Sequence, residues 1–266
     1  MTDTSQQKFE DIVQELTGCG NNRTWSILVT IFGDLAQNPE EEISGALLSS
    51  LIQLIGIKPQ AMRVALHRLR RDGWIVTEKS GRTSKHRLSE FGLNQCMLAS
   101  PRIYAQTVEM PDTWHVLLTN PEAKVDHKDL LTRGYRSVLS GVYIGGGKGP
   151  EDATDFLVID GNLTSIPEWL QSSIADVATV DEYSRLNQSL GVVKSELENG
   201  YSPTPIETAV IRTLIVHNWR RIVLRQPELS LELLPKNPST QCRATVWELL
   251  DRLERPTIEA LEAEAT

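Results

Sequence analysis

The segment from Lys58 to Arg87 constrains the fold of this chain more than any other part of it. This segment contains nine basic and two acidic residues, a net charge of +7, whereas the whole chain of 266 residues has a formal net charge of −8. A basic patch on an acidic protein can bind phosphates while the acidic remainder limits non-specific association. The charge alone is equally consistent with an ordinary solvated surface. The order of the residues must therefore distinguish such a surface from one that binds phosphates.

The first half of this segment predicts an amphipathic basic helix over about Pro59 to Asp72. Proline suits the first helical turn because that position needs no backbone donor, and Asp72-Gly73 favours an end to the helix. The predicted apolar stripe is Met62, Ala65, Leu66 and Leu69, and the opposite face is Gln60, Val64, His67 and Arg71.

The second half predicts a hairpin, with strands at 74–79 and 83–88 and a turn at 80–82. Two further helices, with Thr24 and Ser44 as predicted N-caps, precede the basic helix. This order is typical of a winged helix-turn-helix, in which a helix enters the major groove and a hairpin contacts the backbone. A helical domain with a hairpin and no ligand is the alternative. The candidate DNA-binding residues are Lys58, Gln60, Arg63, His67, Arg68, Arg70, Arg71, Arg82, Thr83, Ser84, Lys85 and Arg87.

The middle of the chain predicts a small α+β sandwich. Its elements are a strand at 114–119, a helix at 127–134 and strands at 141–145 and 155–159. The glycine run at 145–149 lacks the Ser or Thr that follows Gly-Lys in a phosphate-binding loop, because Gly149 stands there, and it favours an ordinary loop.

The last third is predicted to be helical, with a long helix at 208–224. Four polar residues of this helix allow two interpretations. They can form ion pairs that tie the protein together, or an anion-recognising wall for an effector that carries phosphates, since the arginine fork suits bidentate contacts. The candidate ligand-binding residues are Arg212, His217, Arg220 and Arg221.

Two blocks of sequence resemble the PaaX family of bacterial repressors. The first comprises residues 26–34, residues 63–74 (RVALHRLRRDGW) and the hairpin turn GRTS at 81–84. The second comprises IVHNWRRIVLR at 215–225 and ELLP at 232–235. Together the resemblance covers about residues 23–250. The chain departs from the family pattern at Thr83, where a second arginine is usual, and at 237–239, where Trp-x-Gly is usual.

The resemblance implies an α+β chain of four segments: an N-terminal helix or tail (1–22), a winged helix-turn-helix (23–106), a ferredoxin-like (Cas2-like) domain (107–182) and a C-terminal helical domain (183–266). It also implies a homodimeric repressor of aromatic-acid catabolic genes, such as those for phenylacetate. Such a repressor binds a palindromic operator in double-stranded DNA and is relieved by an aryl-CoA thioester such as phenylacetyl-CoA.

Other functions receive less support from the sequence. It has neither a Gly-x-Ser-x-Gly elbow nor a His-Glu-x-x-His site, and Thr119 and Asn120 stand where Cas2-like nucleases carry an acidic residue, so we expect no enzyme, metal or cofactor. A CoA-ester-handling enzyme and an RNA-binding or interaction module remain the alternatives. Three distant cysteines, no long apolar stretch and no signal peptide predict a reduced, cytoplasmic protein without a membrane partner.

Overall fold

The computed structural model describes residues 2–20, 22–81, 83–107, 111–122, 125–150, 154–170, 177–225 and 238–265. These residues form helices and two antiparallel sheets, which confirms the predicted α+β class. The helices are α1 (Thr2–Gly18), α2 (Thr24–Leu35), α3 (Gly45–Leu54), α4 (Pro59–Arg71), α5 (Glu90–Ile103), α6 (His127–Thr132), α7 (Val177–Glu198), α8 (Pro205–Val223), α9 (Pro238–Arg252) and α10 (Ile258–Ala265). The strands are β1 (Ile43–Ser44), β2 (Ile75–Ser80), β3 (Thr83–Leu88), β4 (Trp114–Thr119), β5 (Arg136–Leu139), β6 (Val142–Gly146) and β7 (Phe156–Gly161).

The chain divides into two compact units. Unit 1 contains Met1–Tyr104, Arg185–Arg221 and Ala244–Thr266, and unit 2 contains Ala105–Ser184 and Ile222–Arg243. Residues from both ends of the sequence therefore share unit 1. The four-segment division remains a prediction.

Local signals in the sequence set the ends of α3 and α4. The Ser44 hydroxyl accepts a hydrogen bond from the Leu47 amide at 3.0 Å, which confirms the predicted N-cap of α3. Helix α4 starts at Pro59, as predicted. It ends where Gly73 adopts a φ of +77°, which lets the Trp74 amide donate back to the Leu69 carbonyl at 2.8 Å. This left-handed position with its reverse hydrogen bond is a Schellman cap, which favours glycine.

Unit 1 contains a three-stranded antiparallel sheet in the order β1-β3-β2, of which β2 and β3 follow α4. Strands β2 and β3 pair from Ile75 with Leu88 to the turn, so the predicted hairpin is confirmed. The two-residue strand β1 pairs with β3, where Ser44 lies opposite Lys85. The start of α3 is thereby fixed to the hairpin.

The core of unit 1 joins the N-terminal helices to α8. Val210, Leu214 and Ile215 of α8 are buried among apolar residues of unit 1. Two polar side chains of the same helix reach the other helices: Asn218 donates to the Leu16 carbonyl at 2.8 Å, and Trp219 donates to the Ile103 carbonyl at 2.8 Å. Helix α8 therefore packs in the core of unit 1 and connects to both α1 and α5.

Unit 2 contains a four-stranded antiparallel sheet in the order β5-β6-β4-β7. On one face, Leu117 and Tyr143 pack with Leu130 of α6. On the other face, Trp114 and Ile144 pack with Leu170. The sheet therefore buries apolar side chains on both of its faces.

Two local expectations were wrong. Strand β5 was not expected, because its sequence RSVL is too short to show a clear alternation. The N-cap of α2 is Arg23 and not Thr24.

Candidate nucleic-acid interface

Helix α4 buries one side and presents the rest to solvent. Met62, Ala65 and Leu69 are buried, so the predicted stripe is confirmed apart from the half-buried Leu66. The outer face consists of Gln60, Val64, His67 and Arg71, all of which are exposed. Polar side chains beside an exposed valine form a surface that can contact base edges and thymine methyl groups.

The structure places almost all the predicted DNA-binding residues at the surface. Ser84 and Arg87 are half-buried, and Arg82 lies outside the described residues. The exposed members are Lys58, Gln60, Arg63, His67, Arg68, Arg70, Arg71, Thr83 and Lys85. Because these side chains are exposed within the described part of the chain, their positive surface is accessible to a partner.

A groove of about 610 Å³ lies between α4 and the hairpin. Arg63, His67 and Arg70 of α4 line one wall, and Thr83 and Ser84 line the other. The start of α3, with the residue pair at 44–45, lines the groove as well. The structure therefore brings together five of the predicted residues around one concave surface. It also adds Ser49 of α3 and Thr77 and His86 of the hairpin, which were not predicted because a single hydroxyl or imidazole on a helix or strand carries no distinctive sequence signal.

His86 links the two hairpin strands beneath the groove. Its Nδ1 lies 2.9 Å from the Thr77 hydroxyl and its Nε2 lies 3.1 Å from the Ser84 hydroxyl. Burial, and secondarily the positive charge of Arg70, lower the pKa of His86 from its ordinary value of 6.5. A neutral imidazole, which donates through one nitrogen and accepts through the other, therefore holds this pair of hydroxyls near neutral pH.

Arg68 lies on the other flank of α4, against an aromatic cluster. Its guanidinium carbon is 5.6 Å from the centre of the Trp25 ring, and Trp25 meets Trp74 edge-to-face. Arg68 and Arg71 both donate to the Asp72 carboxylate, and these hydrogen bonds, Arg71 first, lower the pKa of Asp72. Arg68 is thus held in one orientation, whereas Arg63 and Arg70 lie in the groove.

Two ion pairs on the hairpin are exposed. Lys85 lies 3.2 Å from Glu42, and Arg87 lies 3.8 Å from Glu78. Exposed pairs of this kind contribute about 0–1 kcal/mol, so a phosphate can replace the carboxylate at little cost.

The four predicted ligand-binding residues all lie on α8 in unit 1. Arg212 is buried and pairs with Asp34, and His217 is buried with its Nδ1 at 3.4 Å from the Thr30 hydroxyl. Arg220 and Arg221 are half-buried. Arg220 donates to the Ser26 hydroxyl and Arg221 to the Cys19 carbonyl, both at 3.3 Å.

These contacts favour the interpretation in which the four residues tie the protein together. Neither the groove nor the second cavity of unit 1, described below, is lined by any of them. Partial burial also lowers the pKa of Arg220, because it disfavours the charged form of the guanidinium. Their assignment to an effector remains a prediction.

Among the described residues, no group of three or more His, Cys, Asp or Glu side chains is arranged to hold a metal ion. Within the same ranges, no helix is both long enough and apolar enough to cross a membrane.

Comparison with known proteins gives matches at both ends of the chain. Residues 23–92 match the family described as PaaX-like protein, and residues 176–262 match its PaaX-like protein C-terminal domain. The chain is also 26% identical over 252 residues to the transcriptional repressor PaaX of Escherichia coli K12, covering 86% of this chain and 79% of that protein.

A solved structure supports the fold. The uncharacterized protein Rv0674 from Mycobacterium tuberculosis superimposes with a TM-score of 0.57 at 18% identity, over 91% of this chain and 98% of that one. The match to a repressor confirms the expectation of a regulator and not an enzyme. With two family matches in the expected order and a curated relative over most of its length, the chain belongs to the PaaX family of transcriptional repressors.

Proposed function

We propose that this repressor recognises a specific sequence of double-stranded DNA through a winged helix-turn-helix formed by α2–α4 and the β2–β3 hairpin. The observation that carries the proposal is the exposed outer face of α4, Gln60, Val64, His67 and Arg71. Amide, imidazole and guanidinium groups at helical spacing reach base edges in the major groove.

The groove between α4 and the hairpin supplies the backbone contacts. Arg63 and Arg70 face the hydroxyls of Thr83 and Ser84 across it. Charged and hydroxyl groups of this kind contact phosphates and fix the register of the helix, while the outer face specifies sequence. Lys85 and Arg87 of the hairpin and Lys58 at the start of α4 extend this phosphate contact, and the predicted Arg82 lies outside the described residues.

We propose that the protein acts as a homodimer on a palindromic operator. Two copies of α4 would contact half-sites about 34–36 Å apart, one turn of DNA. The strand order of unit 2 supports a ferredoxin-like, Cas2-like domain, since β4, α6, β5 and β6 follow the first four elements of that topology and β7 takes the place of its last strand. Residues 147–150 and 154–155, between β6 and β7, are not helical, which departs from that pattern.

We propose that the operator controls aromatic-acid catabolism, such as that of phenylacetate, and that an aryl-CoA thioester releases the protein from it in the cytoplasm. Family membership supports this pathway. A ligand releases DNA only if it binds more tightly to a conformation in which the two helices are wrongly placed.

The test is fluorescence anisotropy on the DNA upstream of the gene, between 50 and 200 mM salt, with scrambled DNA and duplex RNA as competitors. We expect tight, sequence-selective binding that weakens steeply with salt. Gln60→Ala combined with His67→Ala should reduce the preference for the specific site by about 1–3 kcal/mol per lost base contact. Arg133→Ala, which removes an exposed cation from α6–β5, is the control and should leave binding unchanged. Equal affinity for scrambled DNA, or a preference for RNA, would contradict the proposal.

A further inference from the structure

A second cavity lies in unit 1, away from α4. Its volume is about 650 Å³, and it is lined by the turn at 201–205 after α7, the segment 252–257 between α9 and α10, and Ala260 of α10. This volume is within the range of small-molecule sites, which is about 300–1,000 Å³.

The lining combines an apolar floor with two cations and one carboxylate, that of Glu254, so its charged groups sum to a net positive charge. Tyr201 and Leu253 are buried, and Pro203 and Pro256 add further apolar surface. Arg252 and Arg255 supply the positive charge. A lining of this kind suits a ligand that has an apolar group and an anionic group.

Arg255 can bind such an anion without giving up a close ion pair within the protein. Its side chain is 38% exposed, and it donates to the side-chain amide oxygen of Gln37 (Oε1) at 3.1 Å. It also lies 3.8 Å from Asp34, but the charge of Asp34 is already balanced by the closer Arg212 at 3.0 Å. The guanidinium of Arg255 is therefore positioned for a carboxylate or phosphate of a ligand.

The nearby start of α8 does not compete for that anion. Its first amides are already capped by acidic side chains: Glu207 accepts from the Thr204 amide at 2.9 Å, and Glu264 accepts from the Ile206 amide at 2.9 Å. Recognition therefore rests on the two arginines.

Helix α10 connects this cavity to the proposed DNA interface. Ala260 lines the cavity, and two residues later Glu262 accepts from the Ser44 amide at 2.8 Å and from its hydroxyl at 2.7 Å. Ser44 caps α3 and pairs with Lys85 of the hairpin. A shift of α10 would therefore act directly on the junction of α3 and the hairpin.

We propose that this cavity is the effector site, that it binds a small organic anion with an apolar group through Arg252 and Arg255, and that α10 transmits binding to Ser44 through Glu262. This inference rests on the proposed function, because it assigns the site through which DNA binding is relieved. The effector binds more tightly when α10 has moved away from Ser44, and this difference in affinity weakens DNA binding.

The first experiment measures ligand binding to the free protein by calorimetry, with phenylacetyl-CoA, CoA and phenylacetate as separate probes. Their comparison shows whether the phosphates, the carboxylate or the acyl group is recognised. Ala260→Trp should fill the cavity and weaken binding of the active probe at least about tenfold. Ala263→Trp is the matched control, because it lies on the same helix, is also exposed and does not line the cavity, and it should change the affinity less than about twofold. Arg255→Gln should weaken binding, and Arg255→Lys should restore part of it.

The second experiment measures DNA affinity with and without the active probe. For an allosteric site the expected weakening is about 5–150-fold. Glu262→Ala should keep the affinity for the probe and reduce the weakening of DNA binding to below about threefold. If Glu262→Ala binds the probe less tightly while the probe still weakens its DNA binding as much as in the wild type, the proposed transmission through Glu262 is overturned.

The outcomes separate the two proposals. Failure of the wild type to bind DNA selectively overturns the proposed function. Selective DNA binding that the probe relieves equally in the wild type and in Ala260→Trp overturns the effector site and leaves the repressor function intact. Failure of all three probes to bind the wild type overturns the assigned ligand class.

Discussion

Arg212 of α8 forms a bidentate ion pair with Asp34 of α2, although 178 residues separate them in the sequence. The Nε–Oδ2 distance is 3.1 Å and the Nη2–Oδ1 distance is 3.0 Å, and the side chains are 5% and 0% exposed. Tyr104, whose pKa is raised chiefly by burial, donates to the same carboxylate at 2.7 Å. Arg212 also donates to the Leu250 carbonyl at 2.9 Å. This pair joins α2 to the C-terminal helices.

Removal of one member of this pair should strongly destabilise unit 1. Arg212→Met leaves the Asp34 carboxylate buried without its closest cation, and we expect a loss of about 3–5 kcal/mol in the free energy of unfolding. Urea denaturation measures this loss. Arg133→Ala breaks an exposed Arg–Asp pair at the C-terminal end of α6 and serves as the control, with a loss below about 1 kcal/mol.

The double variant Arg212→Met with Asp34→Leu shows whether the unpaired buried charge causes the loss of stability in Arg212→Met. Because it removes both buried charges, it should recover much of the stability lost by Arg212→Met alone. Additive losses in the two single variants would contradict the role of the charge pair and indicate that packing dominates.

Two kinds of residue at the proposed interface should respond differently to substitution. Lys85→Ala should weaken binding to all DNA sequences about equally and reduce the slope of log K against log salt by about 1, because it removes one phosphate contact.

Val64→Ala should change discrimination at positions occupied by thymine and leave the salt slope unchanged, because it removes an apolar contact. Binding to a panel of single-base operator variants over a salt series tests both expectations. Val64 is 62% exposed, so its substitution should not affect stability.

His86 should make the hairpin sensitive to acid. Its pKa in the folded state lies below the ordinary 6.5, so the unfolded chain binds more protons once the pH falls below that value. The free energy of unfolding should therefore be fully present above pH 6.5 and decrease as the pH falls toward the lowered folded-state pKa. Denaturation of His86→Gln at pH 5 to 7.5 should show a smaller slope than the wild type in that window. His67→Gln, on the exposed face of α4, is the control and should keep the wild-type slope.

Two helical glycines should respond to alanine with opposite signs. A Cβ at Gly92 of α5 would lie 2.2 Å from the Trp74 carbonyl oxygen, so Gly92→Ala forces the backbone apart and should cost more than about 2 kcal/mol. Gly191 of α7 has no atom within 4 Å of the corresponding position, so Gly191→Ala should stabilise the protein by up to about 1 kcal/mol. Thermal unfolding of both variants measures the difference. A loss of stability at Gly191 would contradict the open space at that position.

Interactions between near neighbours in the sequence were predictable. The cap at Ser44, the start of α4 at Pro59, its apolar stripe and the hairpin each depend on residues a few positions apart, and periodicity and turn chemistry reveal such features. The exposed outer face of α4 followed from the same helical spacing.

Interactions over long sequence distances were not predictable. Arg212, His217, Arg220 and Arg221 look the same in the sequence whether they face a ligand or the protein, because their partners lie near the opposite end of the chain. The same applies to the contact of Glu262 with Ser44, which required knowledge of where α10 packs.

The pairing of Asp34 with Arg212 also sets an order of events during protein synthesis. When a ribosome has completed residue 104, the whole of α4 and its hairpin exists, but the guanidinium that neutralises Asp34 has not yet been made. More than a hundred further residues must be translated before Arg212 arrives, and Glu262 follows fifty positions after that. The part of the chain that we expect to bind DNA is thus synthesised long before Arg212 and Glu262, the two residues that complete the contacts of α2 and of Ser44.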